Sequence, residues 1–310
     1  MNDALRGLGG RDFLDVADLT RVELRALIDL SARIKHGDWD EQPLAGKFVA
    51  MLFQKPSHRT RVSFEVGIAR LGGRAVTLGE QDVQFGVRES LSDAARVLDG
   101  YVDAIVARMH RHGDLEQLAA AARIPVVNAL TDRSHPCQVL ADLLTLSEVF
   151  GGLDGRKVVY VGDGNNVSHS LIEASALLGF PLTVITPAAR RPRRDVLERA
   201  GRLADGHASF ELTDDLSAVS GAAAVYTDVW TSMGQEAERE ARRVEFAPYQ
   251  VNAGLLQTAP DAVFLHCLPA HRGEEVTDEV IDGPRSVVFE QARNRLFAQM
   301  ALLAALVGSP

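Results

Sequence analysis

Ser57, His58, Arg59, Thr60 and Arg61 stand in one run between an apolar strand-like segment and a helix-like one. The open N–H groups of a helix start, two hydroxyls and guanidinium groups would converge there, as an oxyanion such as phosphate requires. A capped helix start with surface arginines explains the same run without any ligand. His135-Pro136-Cys137-Gln138 opens another helix, and His135 and Gln138, three apart, can share one of its faces. A neutral imidazole and an amide aimed together could hold a carbonyl oxygen and an NH2 group. A His-Pro pair at a helix start also serves as an ordinary cap.

Gly162-Asp163-Gly164-Asn165-Asn166 lies between a strand pattern and a helix pattern. It invites a dinucleotide reading, but Val167 stands where the third glycine belongs and no ribose-binding acid follows on the next strand. Two adjacent asparagines at a strand end suit a small zwitterion better. In Asp228-Val229-Trp230-Thr231-Ser232-Met233-Gly234, Asp228 and Ser232 are four apart and Gly234 allows close backbone approach to a ligand. An aspartate there would pair with a charged amine, although a plain loop accounts for the segment equally well. His266-Cys267-Leu268-Pro269-Ala270-His271-Arg272 closes an apolar strand, where open α/β sheets put their ligands. A lone Cys267 is commonly core filler. A metal site from Cys267, His266 and His271 lacks paired Cys-x-x-Cys or His-Glu-x-x-His spacing, so no metal is expected. No Gly-x-Ser-x-Gly elbow is present.

These segments must be held by regular elements, and the sequence supplies them in alternation. Apolar β-rich runs alternate with helix-period segments along the chain, which predicts an α/β fold with mostly parallel sheets flanked by helices. Thr20-Arg21-Val22-Glu23 reads as a capping box opening a helix to about Lys35. Strands are expected at Phe48–Phe53, Ala75–Leu78, Ala104–Ala107 and Pro125–Asn128, with Ser57 capping a helix whose apolar face is Val62, Phe64, Val66, Ile68 and Leu71. Pro136 suits the first position of a helix running to Gly151-Gly152. A second series follows, with strands at Lys157–Val161, Leu182–Thr186, Ala222–Tyr226, Ala262–His266 and Ser286–Phe289 and a helix at Val167–Leu178. The expected domains are residues 1–150 and 151–290, with a closing helix at about 291–310 packing back on the first. The Arg190–Arg194 turn reads as solvated surface.

With 310 residues, two domains are comfortable; 46% hydrophobic and 24% charged residues are ordinary for a globular protein. No stretch reaches the roughly 18 to 20 apolar residues of a membrane span, and the first residues show no secretory signal. Two cysteines make no disulfide framework, which points to a reducing cytoplasm. A net charge of −9 argues against nucleic acid or an anionic membrane as partner. The same charge demands that arginines be gathered locally if the substrate is an anion.

Taken in this order the segments resemble the motif set of the ornithine carbamoyltransferase family, within the aspartate/ornithine carbamoyltransferase superfamily. The resemblance rests on Ser57–Arg61, Arg108 with His110, His135–Gln138, Asn166, Asp228 through Gly234, and His266–Arg272, and it spans essentially the whole chain. The family's Ser-Thr-Arg-Thr-Arg motif lands on Ser57–Arg61, with His58 in place of a threonine. The resemblance implies that Ser57, His58, Arg59, Thr60, Arg108, His135, Gln138 and Arg295 bind carbamoyl phosphate. It implies that Asn166, Asp228, Ser232 and Met233 bind ornithine, with Cys267 and Leu268 at the reacting amine. It sends Gln84 into a neighbouring subunit's site, and it implies a homotrimer needing neither metal nor organic cofactor.

The implied reaction is acyl transfer giving citrulline and phosphate, in arginine metabolism. Charge develops on the carbonyl oxygen, assigned to Arg108, His135 and Thr60, and on the departing phosphate, assigned to Arg59, Ser57 and the helix N-terminus. Asp228 and Cys267 orient the amine. Aspartate as acceptor would need cations that the Asp228–Gly234 segment lacks; putrescine would leave Asn166 and Ser232 under-used. A non-catalytic relative would not need the full motif set.

Overall fold

The computed structural model describes residues 3–79, 82, 89–204, 210–231 and 236–308. The apolar runs become β1 (Phe48–Phe53), β2 (Arg74–Leu78), β3 (Ala104–Arg108), β4 (Val126–Leu130), β5 (Val158–Val161), β6 (Leu182–Ile185), β7 (Phe210–Thr213), β8 (Ala224–Thr227) and β9 (Val263–His266). All named pairings are parallel, in two sheets ordered β2-β1-β3-β4 and β7-β6-β5-β8-β9. Central strands β3, β5 and β8 are buried along their whole length, which is why they read as continuous apolar runs and not as alternation.

Two units divide the chain: residues 1–144 with 293–310, and residues 145–292. In the first unit Ala50, Leu52, Ile105, Ala107, Leu115 and Leu118 share one core. In the second, Val159, Val161, Val225, Phe264 and Val276 share another. Each sheet reverses its direction of growth once. In the first unit β2 and β3 lie on opposite sides of β1; in the second, β6 and β8 lie on opposite sides of β5. Loops leaving the carboxyl ends at such a switch point diverge and open a crevice. The β1 and β3 ends form one such place, with Phe53 in register with Arg108, and the β5 and β8 ends form the other.

Local chemistry explains the helices that carry site residues. Ser57 Oγ accepts from Thr60 N at 3.3 Å and starts the His58–Arg70 helix. Phe64, Ile68 and Leu71 turn into the core, whereas Val62 and Val66 are 54% and 39% exposed. The predicted five-residue apolar face is therefore narrower: positions 64, 68 and 71 form one helical stripe, and 62 and 66 fall on the outer side. The last helix, Val288–Val307, starts earlier than predicted. Ser286–Phe289, expected as a strand, makes one bridge from Ser286 to Phe264, and Val288 and Phe289 already belong to that helix. From Arg293 on, the helix packs within the first unit, where a Cβ at Gly67 would meet Met300 Cγ at 3.1 Å.

Candidate functional site

In the first unit the helix start after β1, the end of β3 and the helix start after β4 carry the predicted residues. Thr60, Arg108, His135, Gln138 and Arg295 are all buried, and Ser57 and Arg59 are half-buried. Arg295 reaches in from the last helix, donating from Nη2 to Thr60 Oγ1 at 3.0 Å and from Nη1 to Gln138 Oε1 at 3.1 Å. Thr60 Oγ is thus an acceptor for Arg295, and its own O–H remains to donate elsewhere. Gln138 Nε2 donates to Asp142 Oδ1 at 2.8 Å, which fixes the amide's orientation. The His135 carbonyl accepts from Gln138 N and Val139 N, so His135 is seated at the entry to the Pro136–Phe150 helix.

The electrostatics follow from burial. Desolvation, then the charges of Arg295, Arg108 and Arg59, hold the His135 imidazole well below its ordinary pKa, so it is neutral at physiological pH. Three guanidinium groups acting on one neutral imidazole beside a helix N-terminus make a local cationic field in a chain of net charge −9. Such a place suits a bound anion carrying a carbonyl oxygen. Cys137 sits behind it as an inert thiol: burial pushes it up to about 12, and Sγ donates to the Asn128 carbonyl at 3.3 Å. His58 is exposed, with Nε2 3.5 Å from Arg59 Nη1, while Arg61 turns to Glu65 at 2.9 Å.

In the second unit, the β5, β8 and β9 ends bring Asn165, Asp228 and Cys267 together. Asn165 Nδ2 donates to Asp228 Oδ2 at 2.7 Å; Asp228 Oδ1 accepts from Val229 N at 2.8 Å and from Cys267 Sγ at 3.0 Å. Asn166 follows as the first residue of the Asn166–Leu178 helix and is half-buried. Leu268 has φ of 56°, a left-handed conformation that costs a non-glycine residue roughly 1 to 3 kcal/mol and is characteristic of ligand-holding loops. Gln84, Ser232 and Met233, which sequence also assigns to the site, lie outside the described residues.

Two contributors, Arg242 and Arg190, were not read from sequence. Arg242, 1% exposed, pairs with Asp163, donates from Nε to the Trp230 carbonyl at 2.5 Å and lies over the Phe246 ring at 5.2 Å. Phe246 stacks on Trp230, so the segment after Asp228 is gripped by ring and carbonyl together. Burial pushes the Asp163 carboxyl up to about 6 against the pull of Arg242 and Arg190. Arg190 belongs to the turn expected to be mere solvated surface. Its side chain pairs with Glu245 at 2.9 Å, and its carbonyl accepts from Gly164 N at 2.9 Å, so it braces the loop after β5. Asn165 had been read as the first of the two adjacent asparagines at this strand end.

A metal reading of this region meets a geometric objection. Donor atoms of Asp228, His266 and Cys267 lie within 4.8 Å of one another. Yet His266 Nδ1 accepts from Leu268 N at 2.9 Å, which leaves Nε2 to donate to Glu275 Oε1 at 3.1 Å. Both ring nitrogens are committed, one to Leu268 and the other to Glu275.

Comparison with known proteins also divides the chain near residue 150, with the last helix counted in the second family domain. The carbamoyl-P binding domain of the aspartate/ornithine carbamoyltransferases matches residues 11–148, and their Asp/Orn binding domain matches residues 154–306. The ornithine carbamoyltransferase of Oceanobacillus iheyensis is 52% identical over 306 residues, covering 97% of this chain and 95% of that relative. The anabolic ornithine carbamoyltransferase of Pyrococcus furiosus is 52% identical over 307 residues, covering 97% and 98%. The solved structure of ornithine carbamoyltransferase from Pyrococcus furiosus superposes with a TM-score of 0.94 at 51% identity, over 98% of this chain and 99% of that one.

Proposed function

The chain belongs to the aspartate/ornithine carbamoyltransferase family, and from that premise we propose how its residues carry out the reaction. It transfers the carbamoyl group of carbamoyl phosphate to the side-chain amine of ornithine, giving citrulline and phosphate. Carbamoyl phosphate is held by residues 1–150 with 291–310, and ornithine by residues 151–290. The observation that most supports the first half is the field of Arg59, Arg108 and Arg295 on neutral His135. Ser57, His58, Arg59, Thr60 and the helix N-terminus take the phosphate; Arg108, His135 and Thr60 take the carbonyl oxygen. Arg295 holds Thr60 and Gln138 in place, and Gln138 Oε1 accepts from the carbamoyl NH2.

The amine attacks the carbamoyl carbon, the carbonyl oxygen becomes an oxyanion, and the bond to phosphate then breaks. Preorganised donors at the two oxygens where charge grows supply most of the acceleration. Asp228 and Cys267, with Leu268 beside them, orient the amine, and Asn166, Ser232 and Met233 hold the rest of ornithine. A carboxylate at the second half-site supports a cationic amine over aspartate as acceptor. Arg242, the buried cation nearby, is already engaged by Asp163 and the Trp230 carbonyl. Holding both substrates in line contributes up to several kcal/mol more.

The enzyme works as a homotrimer in the cytoplasm, in arginine biosynthesis, with no metal or organic cofactor, and Gln84 serves a neighbour's site. Val62, Val66 and Val76, apolar and exposed in the first unit, support a surface covered by another copy. Among the described residues no helix is long and apolar enough to cross a membrane. Purified protein given carbamoyl phosphate and ornithine should release citrulline and phosphate in equal amounts, at a rate that chelator leaves unchanged. A rate abolished by chelation and restored by zinc would defeat the cofactor-free mechanism.

A further inference from the structure

We propose that Asn165 is a positioning residue for the acceptor amine, acting through Asp228, in a role separable from its duty as a helix cap. This rests on the reading of Asp228 as the amine's partner. Asn165 Oδ1 accepts from Val167 N at 3.0 Å and Ser168 N at 3.2 Å, capping the Asn166–Leu178 helix. The hydroxyl of fully buried Tyr160 donates to the same oxygen at 3.2 Å. Three donors on one oxygen decide which end of the amide is the carbonyl. Nδ2 must then face Asp228, and it reaches Oδ2 at 2.7 Å.

The opposite carboxylate oxygen is taken by Val229 N and Cys267 Sγ. Asp228 is therefore turned by donors from the β5, β8 and β9 ends at once. The β5 contribution cannot rotate away without uncapping a helix. Its orientation is set when the β5 unit folds and not by the rotamer preference of Asp228 itself. Capping alone does not require asparagine, because serine and aspartate cap equally well. Serine can accept and donate only from one short hydroxyl. Of the three, only asparagine at neutral pH accepts at the helix with one atom while a second atom donates across to the Asp228 carboxylate.

Asn165→Ser keeps a cap on its one short hydroxyl and removes the Nδ2 donor that reaches Asp228; Asn165→Asp keeps a cap and sets a second carboxylate against Asp228. Position 165 is faced by Tyr160 and Asp228, with Cys267 and His266 grouped around Asp228 and with Asp163, Arg242 and Arg190 acting on one another nearby, all common to parent and variants. In the Ser variant kcat/KM for ornithine should fall about 10- to 100-fold, the value of a hydrogen bond to a charged group, with KM for carbamoyl phosphate unchanged. In the Asp variant the loss should be larger at pH 8 and should shrink relative to the parent as pH falls. Adjacent carboxylates come to share a proton, which restores a donor. Variants as active on ornithine as the parent would overturn the proposal. So would equal damage to both substrates with a lowered thermal midpoint, the mark of a cap and nothing more. Absence of citrulline from the unmodified protein would instead sink the reading of function.

Discussion

Arg108 closes β3, is buried, and acts with Arg59 and Arg295 on His135. Arg108→Ala should lower kcat by about 100-fold or more, the loss seen when a preorganised oxyanion donor is removed. Unchanged kcat with a raised KM would move Arg108 from the oxyanion to ground-state binding. Cys267 donates to Asp228 and needs no covalent role, so Cys267→Ala should be impaired yet measurably active. Trapping a carbamoylated Cys267 would contradict that. His135 gives a pH signature with a definite sign. Its folded pKa lies well below the unfolded value near 6.5, so the stability it contributes is present above about pH 6.5 and is lost as pH falls toward the folded value. Asp163 works oppositely: its folded pKa is raised, so its contribution is lost as pH rises through about 6. The comparison of variant with parent isolates the histidine. The thermal midpoint of His135→Gln should fall less steeply below pH 6.5 than the parent's, and parallel curves would contradict the assignment. At this scale Thr60, His135, Gln138, Asp228 and Cys267 stood out by type and place in the chain, whereas Arg108 and Arg295 came only with the family resemblance. Arg242 was not, because a helix-face arginine becomes a buried clamp only through Asp163 and Trp230, residues distant in sequence.

Elements set where those side chains end up, and the tightest constraint is the loop after β5. A Cβ on Gly164 would fall 2.3 Å from the Arg190 carbonyl oxygen and 2.4 Å from Pro192 N, both backbone atoms with nowhere to move. Gly164→Ala should therefore cost about 1 to 3 kcal/mol of stability and raise KM for ornithine more than KM for carbamoyl phosphate. Equal changes in the two KM values would mean the loop does not position the amine side. Legibility here followed pattern strength. The capping box at Thr20 and the Ser57 cap were evident because cap chemistry is local, and β1 matched its apolar run from Phe48 to Phe53. β7 was missed because it is a four-residue strand at the sheet edge, Phe-Glu-Leu-Thr, with no continuous apolar run. Ser286–Phe289 was misread because a short apolar run preceding a helix cannot be told from a strand by periodicity. Val62 and Val66 were drawn into the core face because apolar residues at every second position imitate a stripe that a helix does not have.

For the whole molecule, a net charge of −9 opposes an anionic substrate, and the chain answers with arginines from three separate segments: Arg59, Arg108 and Arg295. That design puts residues near the two ends of the chain into one site, which no local pattern could disclose. If Gln84 serves a neighbouring subunit, inactive Gln84→Ala and Arg59→Ala chains, unfolded and refolded together, should regain activity, because some sites then carry neither lesion. No gain over the separate variants, in confirmed mixed oligomers, would place Gln84 in its own subunit's site. The central claim is the identity of the acceptor, and a panel of amines tests it most directly. Carbamoyl transfer from carbamoyl phosphate should be measured as kcat/KM for ornithine, putrescine, aspartate and an acetylated ornithine between pH 6 and 9. Ornithine should lead at every pH. Its kcat/KM should rise toward pH 8 to 9, as the neutral fraction of an amine with pKa near 10.4 grows. A higher kcat/KM for any of the other three, or no transfer to ornithine at all, would contradict the account.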